Sequence, residues 1–179
     1  MAVLTEESFG SRQRVTMDDV ARRAGVSRMT MYRRWPDMRS LIGDLMTREW
    51  GALARASAEE AVGDTIRERL VDGLVRGVGA LRVHPVFRRI VEVDPEILLP
   101  YLVDRRGTSQ DHILDQLTAT IGAGHADGSV RPADPALLAR TALLTTHGFV
   151  LSAATMTDTV ALADLDHELR LLLGRYFAP

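Results

Sequence analysis

The chain has 179 residues, 46% of them hydrophobic, enough to bury a core as one domain or two small ones. It has no cysteine, which excludes disulfides, thiolate catalysis and cysteine-held zinc and suits a reducing cytoplasm. The formal net charge is only −2, yet all 22 cationic side chains are arginine and they are unevenly spread. Between Val20 and Arg39 six arginines stand against one acid, Asp37, whereas from Gly51 onward 13 arginines stand against 17 acids. A basic head on an acidic body concentrates a phosphate-seeking field in one part of the chain.

In chain order, Ala2 to about Phe9 reads as a short helix of about two turns, whose Val3, Leu4 and Phe9 must pack on the neighbouring helices to persist. Residues 16–36 then read as two short helices joined by a tight turn. The first opens near Thr16 or Met17, with Asp18 and Asp19 offsetting the positive end of the helix dipole and Val20, Ala21 and Ala24 forming its inward face. Gly25 permits the left-handed backbone that ends it, and Ser27 is a natural N-cap for a second helix from Arg28. Pro36 stops that helix by Trp35. Met31 and Trp35, four residues apart, share the face expected to pack on the first helix. A cationic helix presented after a three-residue turn suits a DNA groove.

The stretch Val15 to Leu41 resembles the DNA-binding half of the TetR (tetracycline-repressor) family of bacterial transcriptional regulators. Thr16, Val20-Ala21, Ala24-Gly25-Val26-Ser27, Thr30, Tyr32-Arg33, Trp35 and Leu41 carry the resemblance. It implies an all-α fold of about nine helices: an N-terminal helix-turn-helix three-helix domain over 1–45, its first helix short, and a larger C-terminal helical domain for ligand binding and dimerisation over 46–179. It also implies that Thr16 meets a phosphate and that Arg28 and Met29 reach base edges, a guanine and a thymine methyl respectively. Thr30 and Tyr32 would hydrogen-bond phosphate oxygens, although Tyr32 is also open to a core role, and Arg33 and Arg34 would add charge near the backbone or a base. Family members usually carry a Lys just after the recognition helix, where this chain has Met38. Arg39 is the candidate substitute, one residue on and about 100° further round the helix.

From Arg39 onward the apolar spacing is helical, with no sustained alternation of the kind strands show. It predicts a linking helix from about Arg39 to Val62, a helix from about Thr65 to Val83 striped by Ile66, Leu70, Leu74, Val78 and Leu81, and a short one over Val86 to Val93. A turn or helix follows from Pro95 through Tyr101, then a helix capped by Thr108-Ser109 that runs to about Ala126. Asp134-Pro135 opens a long helix to about Met156, and the last spans roughly Ala163 to Phe177 with Leu165, Leu169, Leu172, Leu173 and Tyr176 on one side. No signal-peptide pattern opens the chain, and Arg140, His147 and Asp158 break the longest apolar stretches, so no membrane span is expected.

Leu137 to Ala154 is apolar nearly all round, with Leu138, Ala142, Leu143, Phe149 and Leu151 on more than one face, so a second surface must cover it. The resemblance implies that this surface is a second copy, a homodimer through the last two helices (about 135–177) that binds a palindromic operator in double-stranded DNA. It further implies a pocket for a small-molecule effector walled by the middle helices, with Phe87, Leu98, Tyr101, Ile113, Leu117, His147 and Phe149 as candidates. The histidines His84, His112, His125, His147 and His167 show no metal-ligand spacing, and no nucleophile is set beside a base, so no metal, cofactor or catalytic residue is expected. The function expected is that of a cytoplasmic, sequence-specific regulator, a repressor released from its operator by a small apolar ligand. The alternative is a small-molecule-binding protein of the same fold with weakened or lost operator binding.

Overall fold

A computed structural model describes residues 15–179 of the chain, and the short helix expected over 2–9 lies outside the described residues. Among those residues there are nine α-helices and no strand. They are α1 (Met17–Ala24), α2 (Arg28–Arg34), α3 (Met38–Glu59), α4 (Ile66–Val83), α5 (Pro85–Val93), α6 (Leu99–Val103), α7 (Thr108–Ala126), α8 (Pro135–Ser152) and α9 (Leu162–Phe177). Single 3-10 turns at Pro95–Ile97 and Ala153–Met156 precede α6 and follow α8. The all-α expectation is met, and most boundaries fall within a residue or two of those read from caps and prolines.

The chain divides into two compact units: the described residues up to Glu49 with His84–Gly107, and Trp50–Val83 with Thr108–Pro179. In the first unit Met17, Val20, Ala21, Met31 and Leu41 form a small core, with Val15, Trp35 and Met38 packed against it. Ala24, expected on the inward face of α1, is instead exposed. In a helix of two turns the inward arc is filled by Met17, Val20 and Ala21 at i, i+3 and i+4, and α1 ends at Ala24.

The second unit is a bundle of α4, α7, α8 and α9. Ile121, Leu138, Leu169, Leu173 and Phe177 are its most deeply buried large side chains, each contributing about 1.5–3 kcal/mol of hydrophobic stabilisation. The turn at Asp127–Ser129 caps α4 from across the bundle: Asp127 Oδ2 accepts from the Ile66 N–H (3.2 Å) and Ser129 Oγ from the Arg67 N–H (3.1 Å). Asp134 caps α8 as its sequence suggests, Oδ1 accepting from the Ala136 N–H at 2.9 Å with Pro135 in the first helical position.

Three expectations change. The α3 helix ends at Glu59 and not near Val62, because buried Asp72 of α4 captures the Val62 N–H at 3.0 Å and turns the chain. The α8 helix yields to a 3-10 turn at Ala153; there the hydroxyls of Thr155 and Thr157 donate to the carbonyls three residues back, Ser152 and Ala154, at 2.8 and 2.9 Å. Finally, Pro135–Met156 is long and apolar enough by length and composition to cross a membrane despite Arg140 and His147. Core helices of soluble bundles pass the same criterion, and here Leu138, Ala139, Ala142 and Leu143 bury one face of α8 in the second core.

Candidate nucleic-acid interface

The helix-turn-helix is assembled by local chemistry. At the start of α1, the Thr16 Oγ1 accepts from the Asp19 N–H (3.2 Å) while Asp19 Oδ2 accepts from both the Thr16 N–H (3.1 Å) and the Thr16 hydroxyl (2.7 Å). This reciprocal cap satisfies amide groups that the helix cannot. These bonds from Thr16, helped by Arg22, hold the Asp19 carboxyl below its ordinary pKa, so the cap stays charged. At the other end Gly25 sits at φ 65°, and the Gly25 and Val26 N–H groups donate to the Arg22 and Ala21 carbonyls at 3.3 and 3.1 Å. A side chain at Gly25 would be strained there, since left-handed backbone crowds any Cβ.

Ser27 caps α2 by accepting from the Thr30 N–H at 3.1 Å. The helix then leaves only Met31 buried. Arg28, Met29, Thr30, Tyr32, Arg33 and Arg34 all face solvent, with Met29 80% and Tyr32 49% exposed. The open choice for Tyr32 thus falls away from the core. Trp35 is half-buried against the first core and its Nε1–H donates to Asp44 Oδ2 of α3 at 2.8 Å, which ties the end of α2 to α3. The Arg34 guanidinium lies over the Trp35 ring, 5.0 Å from its centroid.

The α3 helix opens on a third cap. Asp37 Oδ1 accepts from the Ser40 N–H and the Ser40 hydroxyl, both at 2.7 Å, and these bonds lower its pKa. Met38 packs against the first core, so the position that carries a Lys in the resemblance is here spent on burial. Arg39 is exposed beside it. Of the eight residues singled out for nucleic-acid contact, all are therefore exposed: Thr16 at the mouth of α1, Arg39 on α3 and the other six on α2.

Two features escaped sequence reasoning. Arg28, at the start of α2, pairs with Asp18 in the first turn of α1, its Nη2 at 2.7 Å from Oδ2. Trp35 reaches Asp44 nine residues on. Both depend on how helices cross, for which no spacing rule within one helix gives a signal.

The residues expected to line an effector pocket are divided between the units. Phe87 and Leu98 are buried and Tyr101 half-buried in the first. In the second, Leu117 belongs to the core, and Ile113 and Phe149 pack against it. His147 is half-buried on α8, and burial pushes its imidazole below the ordinary histidine range, favouring the neutral ring.

Comparison with known proteins agrees with this architecture. The model of a family described as bacterial regulatory proteins, tetR family, matches residues 10–45. Over 163 residues the chain is 36% identical to a protein of Mycobacterium tuberculosis described as an uncharacterized HTH-type transcriptional regulator, a match covering 91% of this chain and 84% of that protein. A Mycobacterium bovis protein with the same description matches equally. Among solved structures, the fold is similar to QsdR, a TetR-family transcriptional repressor of R. erythropolis (TM-score 0.70, 16% identity, 97% of this chain and 91% of that one). It is also similar to AlkX, a TetR-family repressor of a Dietzia strain (TM-score 0.64, 19% identity, 90% and 83%).

Proposed function

The chain belongs to the tetR family of bacterial regulatory proteins, a DNA-binding transcriptional regulator and not an enzyme, and from that membership we propose that it is a homodimeric repressor released from a palindromic operator by a small apolar effector. The observation that carries the DNA half is α2, on which every side chain but Met31 is turned to solvent behind a rigid, capped turn. Arg28 and Met29 at its start reach base edges, while Thr30, Tyr32, Arg33 and Arg34 set register on the phosphates. Thr16 meets a phosphate only by releasing its hydroxyl from Asp19, and its first task is the cap. Arg39 takes the phosphate contact that Met38 cannot make.

The dimer rests on the outer faces of α8 and α9. Leu144 is 72% exposed, and Leu137, Leu171 and Leu172 are exposed too. Exposed leucines on α8 and α9 are what a second copy would cover, and a two-fold axis supplies the second recognition helix for the adjacent half-site. The effector occupies the helical body, with His147, whose neutral ring burial favours, as its polar contact and Ile113, Leu117 and Phe149 among its apolar ones. Release requires that the effector prefer the arrangement in which the two recognition helices no longer match successive major grooves, since equal affinity for both arrangements shifts nothing. The protein works in the cytoplasm, where its DNA is.

The burial of Met38 favours one second reading, an effector-binding protein with weakened operator binding. Fluorescence polarisation with palindromic fragments from beside the gene separates the two. Salt-sensitive binding at about nanomolar levels to one fragment supports the repressor, and equally weak binding to every duplex supports the second reading.

A further inference from the structure

Building on the reading of α2 as the recognition helix, we propose that Asp18 is a specificity-determining residue, a positioning carboxylate that holds the Arg28 guanidinium over a base edge and keeps it from turning to a phosphate. Asp18 and Arg28 lie in the first turns of different helices, and their 2.7 Å pair bridges the helix-turn-helix on its exposed side. Asp18 Oδ2 takes this contact while Oδ1 is buried with no hydrogen-bond partner. One oxygen is thus enclosed by the fold, and the other is fixed toward Arg28.

The other carboxylates of the motif hold its helices by hydrogen bonds, whereas Asp18, beyond its charge in the first turn of α1 and its pair with Arg28, makes no such bond. Asp19 caps α1, Asp37 caps α3, and Asp44 receives the Trp35 Nε1–H. Leaving Oδ1 enclosed and unpaired is unfavourable, and the fold recovers no backbone cap at Asp18 in return. What the arrangement does provide is a fixed Arg28. A guanidinium has five N–H donors in a rigid fork; with one directed to Asp18, enough remain for the two-donor edge that matches guanine O6 and N7. An arginine left alone on so exposed a site is a long, flexible cation that the nearest phosphate attracts as strongly as a base does. A carboxylate at its flank repels phosphate while tolerating a base edge, so it weakens binding to arbitrary DNA and sharpens the choice of site.

The test uses full-length protein. The wild-type chain first selects a consensus duplex from a random-sequence library. Polarisation then gives affinities of wild type, Asp18→Asn, Arg28→Ala and the double variant for that duplex, for versions substituted at each guanine, and for an unrelated duplex. Arg28→Ala identifies the guanine it reads by losing preference there. Asp18→Asn should lower the preference at that one base pair by about tenfold, bind the unrelated duplex more tightly, and add no loss in the Arg28→Ala background. The ion pair is solvent-exposed and adds little to stability, but the substitution also changes the enclosed Oδ1, so melting temperatures are measured beside the affinities and Asp18→Ser serves where Asn alters them. An unchanged preference in Asp18→Asn, or an equal further loss in the double variant, overturns the proposal. A wild-type chain that selects no consensus overturns the operator-binding reading itself, a different and earlier failure.

Discussion

Replacing Asp72 by Asn removes a negative charge at the point where α4, α9 and the α3–α4 connection are tied together. Asp72 is buried, and its oxygens receive the Arg76 Nε–H (2.7 Å), the Val62 N–H (3.0 Å) and the Arg170 Nη1–H (2.8 Å). Burial by itself pushes the carboxyl up, but the bonds from Arg76, Val62 and Arg170 together outweigh it and bring the pKa from 3.8 to about 2. A native pKa below the unfolded one means that the native state holds its proton less tightly, so the stabilisation is full above the unfolded value and fades as pH falls through the native one. The difference corresponds to about 2 kcal/mol at neutral pH and about half of that near pH 3. Urea unfolding of wild type and Asp72→Asn at one fixed protein concentration should show a gap of about 2 kcal/mol at pH 7 that narrows by about 1 kcal/mol at pH 3. The side chains of Arg76 and Arg170 are 43% and 42% exposed, so water can take over their hydration in the variant and the gap reports chiefly on the carboxylate. A gap independent of pH would refute the charge-based account and leave only shape or packing as the cause.

Gly124→Ala should cost about 1–3 kcal/mol in thermal unfolding, because a Cβ there would collide with Val130 Cγ2 and lie 3.1 Å from Val130 Cβ, on a side chain too buried to yield; Val130→Ala should restore most of the loss. Leu144→Arg places a charge on the exposed face of α8 and should give a folded monomer by sedimentation equilibrium, whereas an unchanged dimer mass would remove α8 from the interface. Arg39→Ala should lower the slope of log affinity against log salt by about one, and an unchanged slope would reject Arg39 as the stand-in at the Met38 position.

Where local chemistry decides, the chain is legible. Thr16, Gly25, Ser27 and Pro36 each act within one turn of their own position, and α1 and α2 begin and end where those residues direct. The same holds for Asp134-Pro135 at the start of α8. Periodicity also foretells that α2 buries Met31 and exposes its arginines. Legibility ends where two segments must meet. The early stop of α3 depends on Asp72, ten residues beyond Val62 and on another helix. The burial of Met38 depends on how α3 crosses α1 and α2. Spacing misplaces Ala24 on the inward arc of α1 because a two-turn helix has too few residues to define a face by period alone.

The helix-turn-helix also shows how a near-neutral chain can present a cationic surface. Between Thr16 and Asp44 there are six arginines and four carboxylates, a balance that would leave little field if both signs were equally free. The carboxylates are not free: Asp19 and Asp37 are bound into caps, Asp44 holds Trp35, and Asp18 has one oxygen enclosed. Each keeps its charge but is tied by backbone amides or a side-chain donor to a fixed place beside its own helix. The arginines of α2 and the start of α3 stand outward on long side chains. Because their hydrogen bonds lower the pKa of Asp19 and Asp37, both caps persist at mildly acidic pH, and the geometry that turns the arginines outward persists with them. The cationic face of α2 is therefore set by where the charges of each sign are held as well as by how many there are.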